Sequence, residues 1–147
     1  RRALKDVIIE IKGTQSFGGP EPEVIEMTVE GKLDCQKDNI TLFYDADDSE
    51  GGCISTTLTV DRGGAHPLVT LDREGEDVGR MTIQKGKRHM SLYQIGPCEF
   101  SMGVFGENVA CSLGQNGGKL NMKYTIDINS TFAGRNEVDI TVKAIES

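Results

Sequence analysis

Apolar and polar residues alternate along nearly the whole chain with a period of two, the spacing that puts successive side chains on opposite faces of a β-strand. Val7, Ile9 and Ile11 alternate with Asp6, Glu10 and Lys12, and Ile25, Met27 and Val29 with Glu26, Thr28 and Glu30. The same rhythm carries Ile40, Leu42 and Tyr44, then Ile54, Thr56, Leu58 and Val60. Shorter runs follow at Val69 and Leu71, Met81 and Ile83, and Met90 and Leu92, then Phe100, Met102 and Val104, and Val109, Cys111 and Leu113. The longest run is Leu120, Met122, Tyr124, Ile126 and Ile128, and Val138, Ile140 and Val142 close the series. Gly-containing turn signals separate the runs, among them Glu30-Gly31, Arg62-Gly63-Gly64, Lys85-Gly86-Lys87, Ile95-Gly96-Pro97 and Asn116-Gly117-Gly118.

No window shows a helical stripe, and the short spacing leaves no room for crossover helices, so the sheet should be antiparallel. Short loops between successive strands favour an up-and-down meander. A long meander must dispose of its edges, and closure into a barrel does so. The expectation is an all-β, antiparallel closed barrel of roughly eight to ten strands. Its core should draw on Val7, Ile9, Ile11, Ile25, Met27, Val29, Leu58, Val60, Leu120, Met122, Ile126, Val138 and Ile140.

A chain of 147 residues has the size of one domain, and residues 1–147 are read as such, without a linker or repeat. The net charge of -7 repels phosphate backbones and anionic lipid, so nucleic acid and membrane surfaces are not expected partners. No apolar run approaches the roughly 20 residues that span a bilayer, and no signal peptide is visible, which points to the cytoplasm.

Motifs that carry chemistry are sparse. Cys35, Cys53, Cys98 and Cys111 form no Cys-x-x-Cys pair and read as reduced, half-buried thiols. Asp45 to Glu50 opens like a calcium loop, but Glu50 stands where the loop needs Gly and Thr56 where it needs Glu, so a solvated hairpin is expected. His66 and His89 lie in different segments with no third ligand, and no metal or other cofactor is expected. Gly-x-Ser-x-Gly is absent, and no spacing calls for a catalytic residue.

Gly13-Thr14-Gln15-Ser16-Phe17-Gly18-Gly19 precedes Ile25 to Gly31; an acidic loop follows Tyr44; Asp72-Arg73-Glu74-Gly75, Gly86-Lys87-Arg88 and Tyr93 come next; Gly117-Gly118-Lys119-Leu120 then leads into Tyr124. The order of these features resembles the YwiB-like family of small Firmicute proteins of unknown function. The resemblance spans about Asp6 to Lys143 and implies a bacterial protein with a calycin-like barrel. The chain departs from the family at Tyr93-Gln94-Ile95-Gly96-Pro97-Cys98, where relatives carry a Thr-Pro-aromatic-Gly turn.

The polar residues set into the alternation are Tyr44, Arg73, Arg80, Arg88, Tyr93 and Tyr124. Pointing inward, they would give the barrel a polar lining. Arg73, Arg80 and Arg88 are expected to converge near one mouth beside the basic tip Lys85 to Arg88, with Tyr93 adding a hydrogen bond. A guanidinium fork suits carboxylate or phosphate. The function expected is a small-molecule binding module for an anionic or amphipathic ligand, held by Arg73, Arg80, Arg88 and Tyr93. The alternative is a protein-interaction module with a filled barrel and an apolar patch or a homodimer; an enzyme comes third.

Overall fold

The computed structural model describes residues 4–16, 21–47, 52–75 and 77–145. They form ten strands: β1 (Lys5–Ser16), β2 (Glu23–Cys35), β3 (Asn39–Asp47), β4 (Cys53–Asp61), β5 (Leu68–Glu74), β6 (Asp77–Gln84), β7 (Arg88–Ile95), β8 (Cys98–Cys111), β9 (Gly117–Ile128) and β10 (Thr131–Ala144). Each pairs antiparallel with its sequence neighbours, and β1 pairs with β10, from Val7 against Ala144 to Ser16 against Arg135, closing the barrel. No helix occurs among the described residues. The expected all-β meander and its closure are both found.

Local chemistry sets the tight turns. Asn129 and Ser130 both have positive φ, 51° and 70°, as a two-residue primed hairpin demands, and Gly96 supplies φ 58° between Ile95 and Cys98. Such turns follow the right-handed twist of the strands they join.

Because the strands alternate in direction, all odd-to-even hairpins lie at one end, here the upper rim, and all even-to-odd hairpins at the lower end. The lower end is sealed. Val7, Leu33, Ile40, Val60, Val69 and Ile83 fill it, Leu113 is 2% exposed beneath them, and Arg62 Nη1 donates 2.9 Å to the Leu113 carbonyl across the opening. Leu42, Leu58, Leu71, Met81, Val104, Met122 and Ile140 continue the core upward.

The expected core positions are buried or packed against the core with two differences. Met27 is only partly buried, and Ile25 is 49% exposed. Ile25 keeps the inward parity of β2 but stands near the upper rim, above the packed layers. A larger difference concerns β7, where Met90 and Leu92 were the apolar face. The register pairs His89 with Val104, Ser91 with Met102 and Tyr93 with Phe100. Cross-strand partners share a face, so β8's apolar parity turns His89, Ser91 and Tyr93 inward and Met90 and Leu92 outward.

Strands β6 and β7 share a ladder only between Asp77–Gly79 and Tyr93–Ile95. Their tip is tied instead to β8: the Gly86 N–H donates to the Gly106 carbonyl at 2.8 Å, and the Gly106 N–H donates to the Lys87 carbonyl at 3.1 Å. The tip's backbone leaves no room for a side chain at Gly106, where a Cβ would stand 2.2 Å from the Gln84 carbonyl oxygen.

Candidate functional site

One cross-strand row runs below the upper rim through Tyr44 on β3, Thr56 on β4, Arg73 on β5, Gly79 on β6, Tyr93 on β7 and Phe100 on β8. All six lie on the inward parity of their strands, shared with Leu42, Leu58, Leu71, Met81 and Met102. Tyr124 belongs to the same region through its coupling to Arg73 and Tyr93, with Asn136 opposite it on β10. The row thus replaces the apolar lining with one guanidinium, three phenols, a hydroxyl and an amide.

Packing fixes the rings. Tyr93 stacks on Phe100 with centroids 6.1 Å apart and planes at 24°. On its other side the ring lies on the backbone of Gly79, where an added Cβ would come within 2.4 Å of Cε1 and 2.6 Å of Cδ1. Thr56 stands opposite Tyr44, and Asn136 opposite Tyr124, where their polar groups favour the ionised phenol. Burial pushes all three phenols above their ordinary pKa, and the positive charge of Arg73 pulls each part of the way back. Arg73 itself stays accessible to solvent, and no described carboxylate forms an ion pair with it. A guanidinium in an ion pair with no described carboxylate, close enough to three phenols for its charge to act on each, is an arrangement able to bind a carboxylate or phosphate oxygen.

The expected convergence of three arginines is not found. Arg73 and Tyr93 come together, whereas Arg80 and Arg88 point outward. Met81 and Ile83 take β6's inward parity, which leaves Arg80 on the outer wall, donating from Nε to Asp72 at 2.7 Å. Arg88 pairs across from Phe105 on the outer face and grips Asp127 with two bonds of 2.9 and 2.6 Å, holding that carboxyl below its ordinary pKa. The tip with Lys85 and Lys87 belongs to the lower end, opposite the row. Tyr44 and Tyr124 join Arg73 as the alternation allows. Thr56 and Asn136 were missed as site residues; their signal was a polar residue in an apolar parity.

Other sequence candidates find ordinary places. His89 is partly buried, 3.4 Å from the Gln84 amide oxygen, and His66 lies exposed in the loop between β4 and β5. Residues 48–51 of the acidic loop lie outside the described residues, and Asp45 accepts a bond from Ser55 Oγ at 2.8 Å. Among the described residues no group of His, Cys, Asp and Glu could hold a metal ion. The four cysteines are unbonded; Cys53 and Cys98 are exposed where half-burial was expected, because each begins its strand at the upper rim. No helix of the described residues is long and apolar enough to cross a membrane.

Fold and row together define a ten-stranded antiparallel barrel, sealed at one end by apolar side chains and polar at the other. Residues 9–140 match the family described as Domain of unknown function (DUF1934), and the chain belongs to that family. Its structure is similar to the crystal structure of ywiB protein from Bacillus subtilis, with a TM-score of 0.85 and 16% identity over 99% of this chain and 96% of that one. No curated protein matches the chain by sequence.

Proposed function

We propose that this protein is a small-ligand binding module that takes the anionic group of its ligand at the polar end of the barrel, on Arg73 and the hydroxyls of Tyr44, Tyr93 and Tyr124. The observation that carries this reading is the placement of Arg73 among all three tyrosines of the chain, with no described carboxylate in an ion pair to it. On a chain of net charge -7, a guanidinium that no described carboxylate pairs with supplies the local positive potential that an anion needs. The apolar layers below limit the ligand to the upper part of the barrel. Ile25 and Ile128 stand on the inward parity near the rim, 49% and 37% exposed, and would contact its apolar portion. An amphipathic ligand, short and anionic at its inner end, suits both features.

The reading places the protein, as a single calycin-like domain, in the bacterial cytoplasm, where four unbonded thiols would stay reduced. Charged residues such as Glu10, Lys12, Glu26 and Asp139 on the outer wall disfavour a lipid contact, and the overall acidity disfavours nucleic acid. Native mass spectrometry of the protein purified from its own host tests the proposal. A bound mass is expected in the wild-type chain and is lost in a folded Arg73→Gln variant. A ligand that survives this substitution, or wild-type protein that carries none and binds no aromatic carboxylate or sulfonate probe, overturns it.

A further inference from the structure

The outer wall of β7 to β10 carries a second feature, separate from the polar end. Met90, Leu92, Phe105 and Phe132 stand there 53%, 66%, 40% and 61% exposed. One outward row joins Met90 to Gly103, Asp127 and Phe132 across four strands. Gly103 contributes no side chain of its own to the row. Arg88 and Asp127 meet over Gly103, where a Cβ would be 2.6 Å from both. Beside them lies a depression of about 300 Å³ lined by Arg88, Thr125, Asp127 and Phe132.

Charge narrows what can cover this face. The chain carries -7, yet the charged side chains next to these apolar residues are matched in pairs, Arg88 with Asp127 and Arg135 with Glu107. Two copies of an acidic protein repel each other least where each is locally neutral and apolar. The face is also self-complementary. A projecting Phe132 adjoins a depression that can receive the same residue from another copy, and adjacent opposite charges can exchange partners about a twofold axis, as an isologous contact requires.

We propose that this wall is the contact surface of a homodimer, in which Phe132 of each copy enters the depression beside Arg88 and Asp127 of the other, and Arg88 and Asp127 pair across the interface. The contact spans four strands, roughly 14 Å at the usual strand spacing. It is therefore small and reversible, and leaves the upper end of the barrel open, so it stands whether or not that end holds a ligand.

Sedimentation velocity of the purified chain, from about 1 to about 300 µM, covers the range in which contacts of this size associate. The mass should rise from the 16.0 kDa of one chain towards twice that value. Phe132→Glu should be monomeric throughout with an unchanged circular dichroism spectrum, and Leu92→Lys should weaken association at least tenfold. Arg88→Glu alone and Asp127→Lys alone should each be monomeric, whereas their equimolar mixture should dimerise, because each variant then meets its opposite charge on the partner. A wild-type chain that stays monomeric at the highest concentration overturns the proposal. So does a dimer that persists in folded Phe132→Glu, or a mixture that fails to restore association.

Discussion

Gly79→Ala is the sharpest test of how the polar row is built. Gly79 lies within β6, without the positive φ that favours glycine. On backbone grounds alone, alanine should stabilise the strand by about 0.5–1 kcal/mol. The row reverses the sign. The new methyl would meet Tyr93 at 2.4, 2.6 and 2.7 Å, against Cε1, Cδ1 and Cζ. Tyr93 cannot yield without leaving its stack on Phe100. Overpacking of this kind costs about 1–3 kcal/mol, and the aromatic pair contributes about 0.5–1.5 kcal/mol. Together these outweigh the backbone gain, so Gly79→Ala should destabilise by about 2 kcal/mol, lowering the melting temperature by roughly 5 °C. In a Tyr93→Ala background the obstacle is gone, and the same substitution should be neutral or stabilising. A double-mutant cycle by urea unfolding, followed by far-UV circular dichroism, measures this coupling. If Gly79→Ala has the same effect in both backgrounds, the ring does not rest on Gly79 and the account of the row is wrong.

Other consequences follow from the same geometry. Arg73→Gln should weaken any anionic ligand by about 1.5–3 kcal/mol in calorimetry, while Arg80→Ala, which loses only an exposed bond to Asp72, should leave affinity unchanged; equal losses would contradict the assignment. With three folded-state phenols raised above the ordinary value of about 10, the unfolded chain deprotonates first, so stability is intact below that pH and declines as pH rises through the native phenol range. Phenolate absorbance should then titrate at higher pH in native protein than in denaturant, and coincident curves would refute the burial. Gly106→Ala should cost at least about 3 kcal/mol, because the obstacle is the Gln84 carbonyl and not a movable side chain; thermal unfolding within 1 °C of wild type would show the tip packed elsewhere.

Strand number, antiparallel order and most of the core were readable from the alternation, since Val7, Ile9, Leu58, Leu120 and Ile140 sit where period two places them. Strand β7 was not. Read alone, Met90 and Leu92 mark an inner face, and only the register against Phe100, Met102 and Val104 inverts it. Inversion on one strand has a large effect: it brings Tyr93 into the row and puts two apolar side chains on the outer wall. Arg80 was decidable in principle from the parity of Met81 and Ile83. The pairing of Arg88 with Asp127 was not, because it joins residues of β7 and β9 across the bare Gly103 of β8. Gly79 in the polar row, Gly103 on the outer wall and Gly106 against the β6–β7 tip look in sequence like turn or flexibility signals; their role as places of close approach exists only between strands.

The order of the strands has a kinetic consequence. Every pairing but one joins consecutive segments, so nearly the whole sheet can zip up hairpin by hairpin with little loop entropy to overcome. The exception is the seam between β1 and β10, whose partners Val7 and Ala144 lie almost a full chain length apart. Closing a loop of roughly 140 residues costs about 4 kcal/mol in chain entropy when nothing precedes it. Once the intervening strands have formed and curled, their curvature brings the two edges close and most of that cost has already been met. Closure therefore belongs at the end of folding, and until it occurs β1 and β10 present the long unpaired edges through which β-proteins aggregate.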